Sequence, residues 1–308
     1  TKDFDFLEIC GLENWLVAAQ YGKPFLIFLT GADIRFISKT GEYASREINS
    51  GWHQACLDSL KKSLGFAQPY RVTSDCYGEA DLGSYAKDVL PFGIPTLFRP
   101  RLSKPKRWEK LEALCRYHDV EFPKADQYGF IPIRLDFIEK GVDDIANALQ
   151  EVDDNLHLFA NGIGADRKAF EELLVQNGVQ NQVTFLDAFM SQELLKDWFE
   201  ACDFMIDGLR SRFYGTTFSE AAGCGCPTIK KASTKEEMLH GIDPPPLIPA
   251  DNLDELTAVF SAICAGTLNL DQHGENLRQW AKRYHSAQSV CNNLEEITGN
   301  HLPTLSSN

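Results

Sequence analysis

The chain reads as an α/β protein with parallel sheets in two domains. Three observations predict this. Apolar strand-like runs alternate with helix-like segments, the pattern of parallel sheets covered on both faces. Glycines stand where strands would turn into helices, at Gly31, Gly162, Gly164 and Gly215. The length, 308 residues, suffices for two domains of ordinary size.

In the first half, Phe4–Cys10 reads as a short strand and Asn14–Tyr21 as a helix closed by Gly22. Pro24–Leu29 is a strongly apolar strand ending in Thr30-Gly31-Ala32-Asp33, where Gly31 suits a tight turn and Asp33 a helix cap. Glu47–Leu64 is expected to be helical, Pro69–Ser74 a strand, Tyr85–Leu90 a short helix and Gly93–Phe98 a strand. Arg99–Lys110 then gathers six basic residues and two prolines. This run reads as a solvated connection between domains. The sharper reading is a contact for anionic lipid headgroups or a phosphate-bearing acceptor.

The second half begins near Tyr128. Gly129–Leu135 reads as a strand, and Val142–Gln150 as an amphipathic helix. Between them lie Arg134 and Lys140. His157–Ala160 is a strand running into Asn161-Gly162-Ile163-Gly164, with helix from Lys168 onward. A Gly-x-Gly after a strand suggests a dinucleotide-binding turn, but the third glycine of that fingerprint would fall at Arg167. Val183–Leu186 is a strand with Asp187–Met190 as its loop, and Leu194–Ala201 a helix. Leu253–Ala265 and Leu277–Ile297 are the closing helices.

The stretch Asp203–Ile229 organises the rest. Phe204-Met205-Ile206 is a buried strand, and a polar loop from Asp207 carries Arg210, Ser211, Arg212, Phe213, Tyr214 and Gly215. Thr216 and Thr217 stand where a helix begins, with Thr as the capping residue. Unpaired N–H groups and partial positive charge make such a helix start a place for phosphate. Glu220, about one turn in, can reach a neutral hydroxyl beside that phosphate. Ala221-Ala222-Gly223 permits close packing, and Gly225-Cys226-Pro227 ends the helix before the strand at Thr228-Ile229.

Composition narrows the function classes. Hydrophobic residues make up 44% and charged residues 24%, as in ordinary globular proteins. The formal net charge of −14 argues against a general nucleic-acid binder. No apolar run reaches the ~20 residues of a membrane span, and no signal peptide opens the chain. The nine cysteines are scattered, and Cys224 and Cys226 stand one residue apart, a spacing of neither zinc nor thioredoxin sites. They read as buried free thiols in a reducing compartment, which points to the cytoplasm.

Glu220, Ala221, the small residues after it and Gly225-Cys226-Pro227 together resemble the nucleotide-sugar loop of retaining GT-B glycosyltransferases, group 1 or family 4-like. In that family a second Glu precedes this one by eight positions. Here Arg212 occupies the place. Thr30-Gly31-Ala32-Asp33 is similar to the family's His-Gly-x-Asp segment, with Thr30 for His. Arg134 and Lys140 fit the spacing of the Arg and Lys that reach the donor diphosphate.

The resemblance implies two facing Rossmann-like domains with a cleft between them and transfer of a hexose from a nucleoside-diphosphate sugar, as in polysaccharide or glycan biosynthesis. Departure of the leaving group would be assisted by Arg134, Lys140 and the helix start at Gly215, Thr216 and Thr217, with Glu220 on the ribose. Gly162, Gly164, Asp187, Phe189 and Tyr214 would also line the donor site, and Thr30, Gly31 and Asp33 the acceptor side. The roles of Arg212 and Asp207 stay open. No metal and no cofactor besides the donor is implied. Partners would be that donor, a glycan or lipid-linked acceptor and, through Arg99–Lys110, a membrane surface, with no nucleic acid.

The expected domains are 1–105 (acceptor side), a linker at 106–127, 128–275 (nucleotide-sugar binding) and 276–308, a helix and tail packing back on the first domain. The first domain falls short of the family's size and lacks its first strand and glycine loop. A fragment, segments omitted from the chain, or a partner chain that completes the domain are the readings of this. Other functions compatible with the residues are a non-catalytic binding module, a sugar-nucleotide epimerase on the same fold, and a nicotinamide-dependent enzyme, the last weakened by Arg167.

Overall fold

The computed structural model describes residues 7–10, 12–20, 25–28, 55, 58–59, 62, 65–69, 89–92, 96–186, 190–210, 214–234 and 242–301. The chain divides into two compact units, 1–94 with 234–244 and 287–308, and 95–233 with 245–286.

In the first unit, β1 (Leu7–Cys10), β2 (Phe25–Phe28), β3 (Gly65–Pro69) and β4 (Val89–Phe92) form a parallel sheet in that order, with α1 (Leu12–Gln20) between β1 and β2. Two expectations shift. The strand placed at 69–74 ends at Pro69, and the one placed at 93–98 lies at Val89–Phe92, across the end of the expected helix 85–90. Pro91 explains the second. It disfavours a helix, and β4 is an edge strand among the described ones, where a missing N–H is tolerated.

Residues 106–127 are not a linker: α2 (Lys104–Tyr117) begins with Pro105 in its first turn and buries Arg107, Leu111, Leu114 and Cys115. The basic run is consumed inside the unit. Arg107 meets Asp203 at 2.9 Å with both side chains buried, and Arg101 meets Asp271 at 2.9 Å. Arg99 and Lys110 share Asp197 and Glu200, and Lys104 donates to the Asp126 carbonyl. Of the six cations, five thus have partners within the unit. Among the described residues no helix is long and apolar enough to cross a membrane.

The central strand β5 (Gln127–Ile131) leads through α3 (Phe137–Lys140) and α4 (Val142–Leu149) to β6 (Leu156–Asn161), α5 (Arg167–Gln176) and β7 (Val183–Leu186). The chain then returns through α6 (Gln192–Ala201) to β8 (Phe204–Ile206), α7 (Thr216–Gly223), β9 (Thr228–Lys230), β10 (Ile248–Pro249), α8 (Leu253–Cys264) and α9 (Leu270–His285). The six strands are parallel in the order β7-β6-β5-β8-β9-β10. Winding outward from β5 in one direction and restarting at β8 in the other makes a switch point between them. In open α/β sheets ligands sit outside the carboxyl ends of the strands at that point.

Apolar side chains cover both faces. Ile131, Val142, Ile145, Leu149 and Phe204 belong to one buried cluster, and Phe130 stacks on Trp198 at 5.4 Å. The four buried thiols Cys115, Cys202, Cys224 and Cys226 are free, as expected. The long helix expected at 277–297 is two: α9 ends where Ser286 turns extended (φ −68°, ψ 149°), and α10 (Ala287–His301) belongs to the first unit.

Candidate functional site

The carboxyl ends of β5 and β8 bring a small set of polar groups together. After β5, Asp136 caps α3 by accepting from the Glu139 amide at 2.7 Å, and Gly141 closes the helix in the left-handed region at φ 68°. Lys140 is therefore the last residue of a one-turn helix whose end is fixed. Its carbonyl accepts from Leu209 N at 2.9 Å, which ties this loop to the one after β8. Its side chain lies along Gly208, where a methyl group on the glycine Cα would stand 3.1 Å from Lys140 Cδ and 3.7 Å from Nζ. A larger residue at 208 would push the ammonium away.

Beneath it lies a buried ion pair. Asp207, directly after β8, meets Lys230 Nζ, at the end of β9, at 2.9 Å, with side-chain exposures of 9% and 1%. Lys230 also donates to the Gly208 carbonyl at 3.1 Å, and Gly208 N donates to Asp207 Oδ1 at 2.7 Å. Burial pushes the Asp207 carboxyl up. The Lys230 charge and hydrogen bond, the Gly208 amide and the charge of Lys140 outweigh it and hold the group below the usual carboxylate range. Arg210, next along, is spent on Asp143, Asp144 and the Phe137 carbonyl.

Arg134 is exposed and pairs with Glu139 at 2.9 Å. Gly162 and Gly164 form the turn after β6. It packs on the β5 loop through Leu135, whose N–H donates to the Ile163 carbonyl at 2.8 Å. A Cβ on Gly164 would come 2.2 Å from the Leu135 carbonyl oxygen, so only glycine fits. Arg167 closes this turn by donating to the Gly162 carbonyl at 3.0 Å and lying over the Phe185 ring at 4.2 Å.

The start of α7 differs from expectation in its cap. Gly215, not a threonine, is the N-cap, in extended conformation, and no side chain caps the helix. Thr216 is exposed and Thr217 half-buried, so the first-turn amides of α7 are not consumed by a capping side chain. The Tyr214 ring is buried beside Phe218 at 5.1 Å and its hydroxyl donates to Ser233 at 2.9 Å, so toward a ligand it offers backbone. Glu220 is buried one turn in and accepts from the Gln192 side chain at the start of α6. Small residues hold α7 close to the chain: Gly223 leaves a Cβ only 2.3 Å from Thr96 Cγ2.

Residues 131–265 match the family model described as glycosyl transferases group 1. Solved structures share the architecture over nearly the whole chain. Anabaena HepE in complex with UDP aligns with TM-score 0.68 at 14% identity, over 97% of this chain and 79% of that one. The fold is that of the GT-B group 1 glycosyltransferases. Sucrose-phosphate synthase from Thermosynechococcus elongatus aligns at 0.65 and 15% identity, over 96% and 73% of the two chains. WaaG, a glycosyltransferase involved in lipopolysaccharide biosynthesis, aligns at 0.55 and 17%, over 89% and 75%. Comparison with curated proteins finds no match.

Within this GT-B domain, Lys140 stands at the switch point, Glu220 sits in the first turns of α7, and the Gly162–Gly164 turn borders the β5 loop. Arg134 faces outward onto Glu139. Asp207, an open choice for holding a sugar, is instead committed to Lys230 and the Gly208 amide. Thr30, Gly31, Asp33, Asp187, Phe189 and Arg212 lie outside the described residues. Sequence reasoning missed Lys230 and Gln192. For Lys230 a signal existed: a lysine directly after the buried Thr228-Ile229 needs an acid, and Asp207 directly follows the neighbouring strand. Gln192 carries no local signal, because its partner is 28 residues away.

Proposed function

We propose that the chain transfers a sugar from a nucleoside-diphosphate sugar to an acceptor hydroxyl with retention at the anomeric carbon. The observation that carries the reading is the placement of the Lys140 ammonium against Gly208 at the β5–β8 switch point, in a group 1 glycosyltransferase domain. As the bond from the anomeric carbon to the diphosphate oxygen breaks, its electron pair goes to the diphosphate. A fixed cation and free helix amides stabilise that charge. The acceptor oxygen then bonds to the same face of the carbon, and its proton passes to the departing phosphate. Glu220, already oriented by Gln192, accepts from the ribose hydroxyls. Arg134 joins by exchanging Glu139 for phosphate. In this scheme no metal is required and the only small-molecule partners are the donor and a glycan or lipid-linked acceptor, in the cytoplasm.

HepE is bound to UDP and to UDP-glucose in its structures, which makes uridine the first base to try. The test is an incubation with uridine, guanosine and adenosine diphosphate sugars in excess EDTA, with product configuration read by NMR. A retained glycoside supports the reading. An inverted product, or loss of turnover on chelation restored by magnesium, contradicts it. An altered sugar nucleotide formed without acceptor indicates the epimerase instead.

A further inference from the structure

We propose that Lys230 is a positioning residue of the diphosphate site, holding Asp207 so that this carboxylate does not capture the Lys140 ammonium. The inference rests on the diphosphate reading of the site and adds one residue to it. Two lysines bear on Asp207. Lys230 Nζ contacts its Oδ2 at 2.9 Å and the Gly208 carbonyl at 3.1 Å. Lys140 lies along the same glycine, Nζ 3.7 Å from where a methyl group on it would be.

Lys140 Nζ makes no hydrogen bond or ion pair among the described residues. A buried carboxylate stripped of its counter-ion draws the nearest ammonium, because attraction across a few ångströms is strong where water is scarce. A phosphate would then compete with Asp207 for Lys140. Among the described residues two cations bear on this one anion, and Lys230 takes its ion pair, which leaves Lys140 without one. Stability alone does not explain the pair, since desolvating two charges roughly cancels their attraction and apolar residues would serve the fold as well.

The experiment combines residue-resolved lysine acylation, read by mass spectrometry without any nucleotide, with calorimetric titration by UDP. In Lys230→Met, acylation of Lys140 should slow by about fivefold or more as Asp207 takes it, and UDP affinity should fall by about tenfold. Adding Asp207→Asn to that variant removes the stray anion, and both values should return to within about threefold of the parent. Unchanged Lys140 acylation in Lys230→Met overturns the inference, as does a double variant that fails to recover. Should Lys230→Met not fold, Asp207→Asn alone decides: it leaves two cations, so UDP binding should tighten and steepen in its salt dependence, and weaker binding overturns the proposal. A parent that binds no nucleoside diphosphate while its Lys140 acylation responds as expected sinks the transferase reading and leaves the role of the pair standing.

Discussion

Replacing Arg107 by Met should destabilise the second unit by about 3–5 kcal/mol, the range for breaking a buried ion pair from one side. The magnitude follows from what the guanidinium does. It gives two hydrogen bonds to Asp203 Oδ1, at 2.9 and 3.3 Å, and two more to the Leu102 carbonyl and Asp271, at 2.7 and 3.1 Å. The side chains of Arg107 and Asp203 are 3% and 1% exposed, so solvent screens the pair little. Methionine fills most of the space, which limits the cavity term. What stays behind is a buried carboxylate whose other oxygen keeps only the Tyr128 amide, at 2.9 Å. At about 2–4 °C per kcal/mol for a unit of this size, thermal unfolding should come about 6–20 °C earlier. Adding Asp203→Asn removes the stray charge and keeps an acceptor for Tyr128, so more than half of the loss should return. Calorimetry on parent, single and double variants measures this. A loss under 1 kcal/mol, or no recovery in the double variant, would refute the claim that α2 is pinned to the sheet by this pair.

Two further outcomes are expected. Glu220→Gln keeps shape and loses charge, so the ratio of UDP to 2′-deoxy-UDP affinity should shrink; equal parent affinities would remove the ribose role. His157 is buried beside Thr184, and burial holds its imidazole down at about 4, from 6.5. Since the unfolded chain takes up the proton first, its contribution is present above pH 6.5 and is lost as pH falls toward 4, on the order of 3 kcal/mol in all. Denaturant unfolding of His157→Gln should show a shallower loss over that window, and an identical slope would contradict the assignment.

What was legible in the sequence was what is local. Five of the six strands of the second unit follow from apolar runs of strand length, whereas the two-residue β10 and the strand order that makes the switch point have no such local pattern. The misread segment, Arg99–Lys110, has the composition of a linker because its partners are 87 to 170 residues away, at Asp197, Asp203 and Asp271. Local pattern cannot tell a solvated cation from one whose acid arrives with the fold. Pro105 was the overlooked sign, since a proline just after Ser103 suits a helix start as well as a coil. The α7 cap was misplaced by one residue for a similar reason: threonine has the better capping chemistry, but Gly215 leads the chain into the helix. For the site, Lys140 and Glu220 came from motif spacing, whereas Gly208 and Gln192 are set by tertiary contacts alone and Lys230 is marked only by its place after a buried strand.

The most direct test of the central claim is calorimetric titration of the parent and of Lys140→Ala with UDP, GDP and ADP. One of these should bind the parent, and the variant should lose about 1.5–3 kcal/mol, roughly 10- to 150-fold in affinity. A parent that binds none of them, or a variant that binds as tightly as the parent, would contradict it.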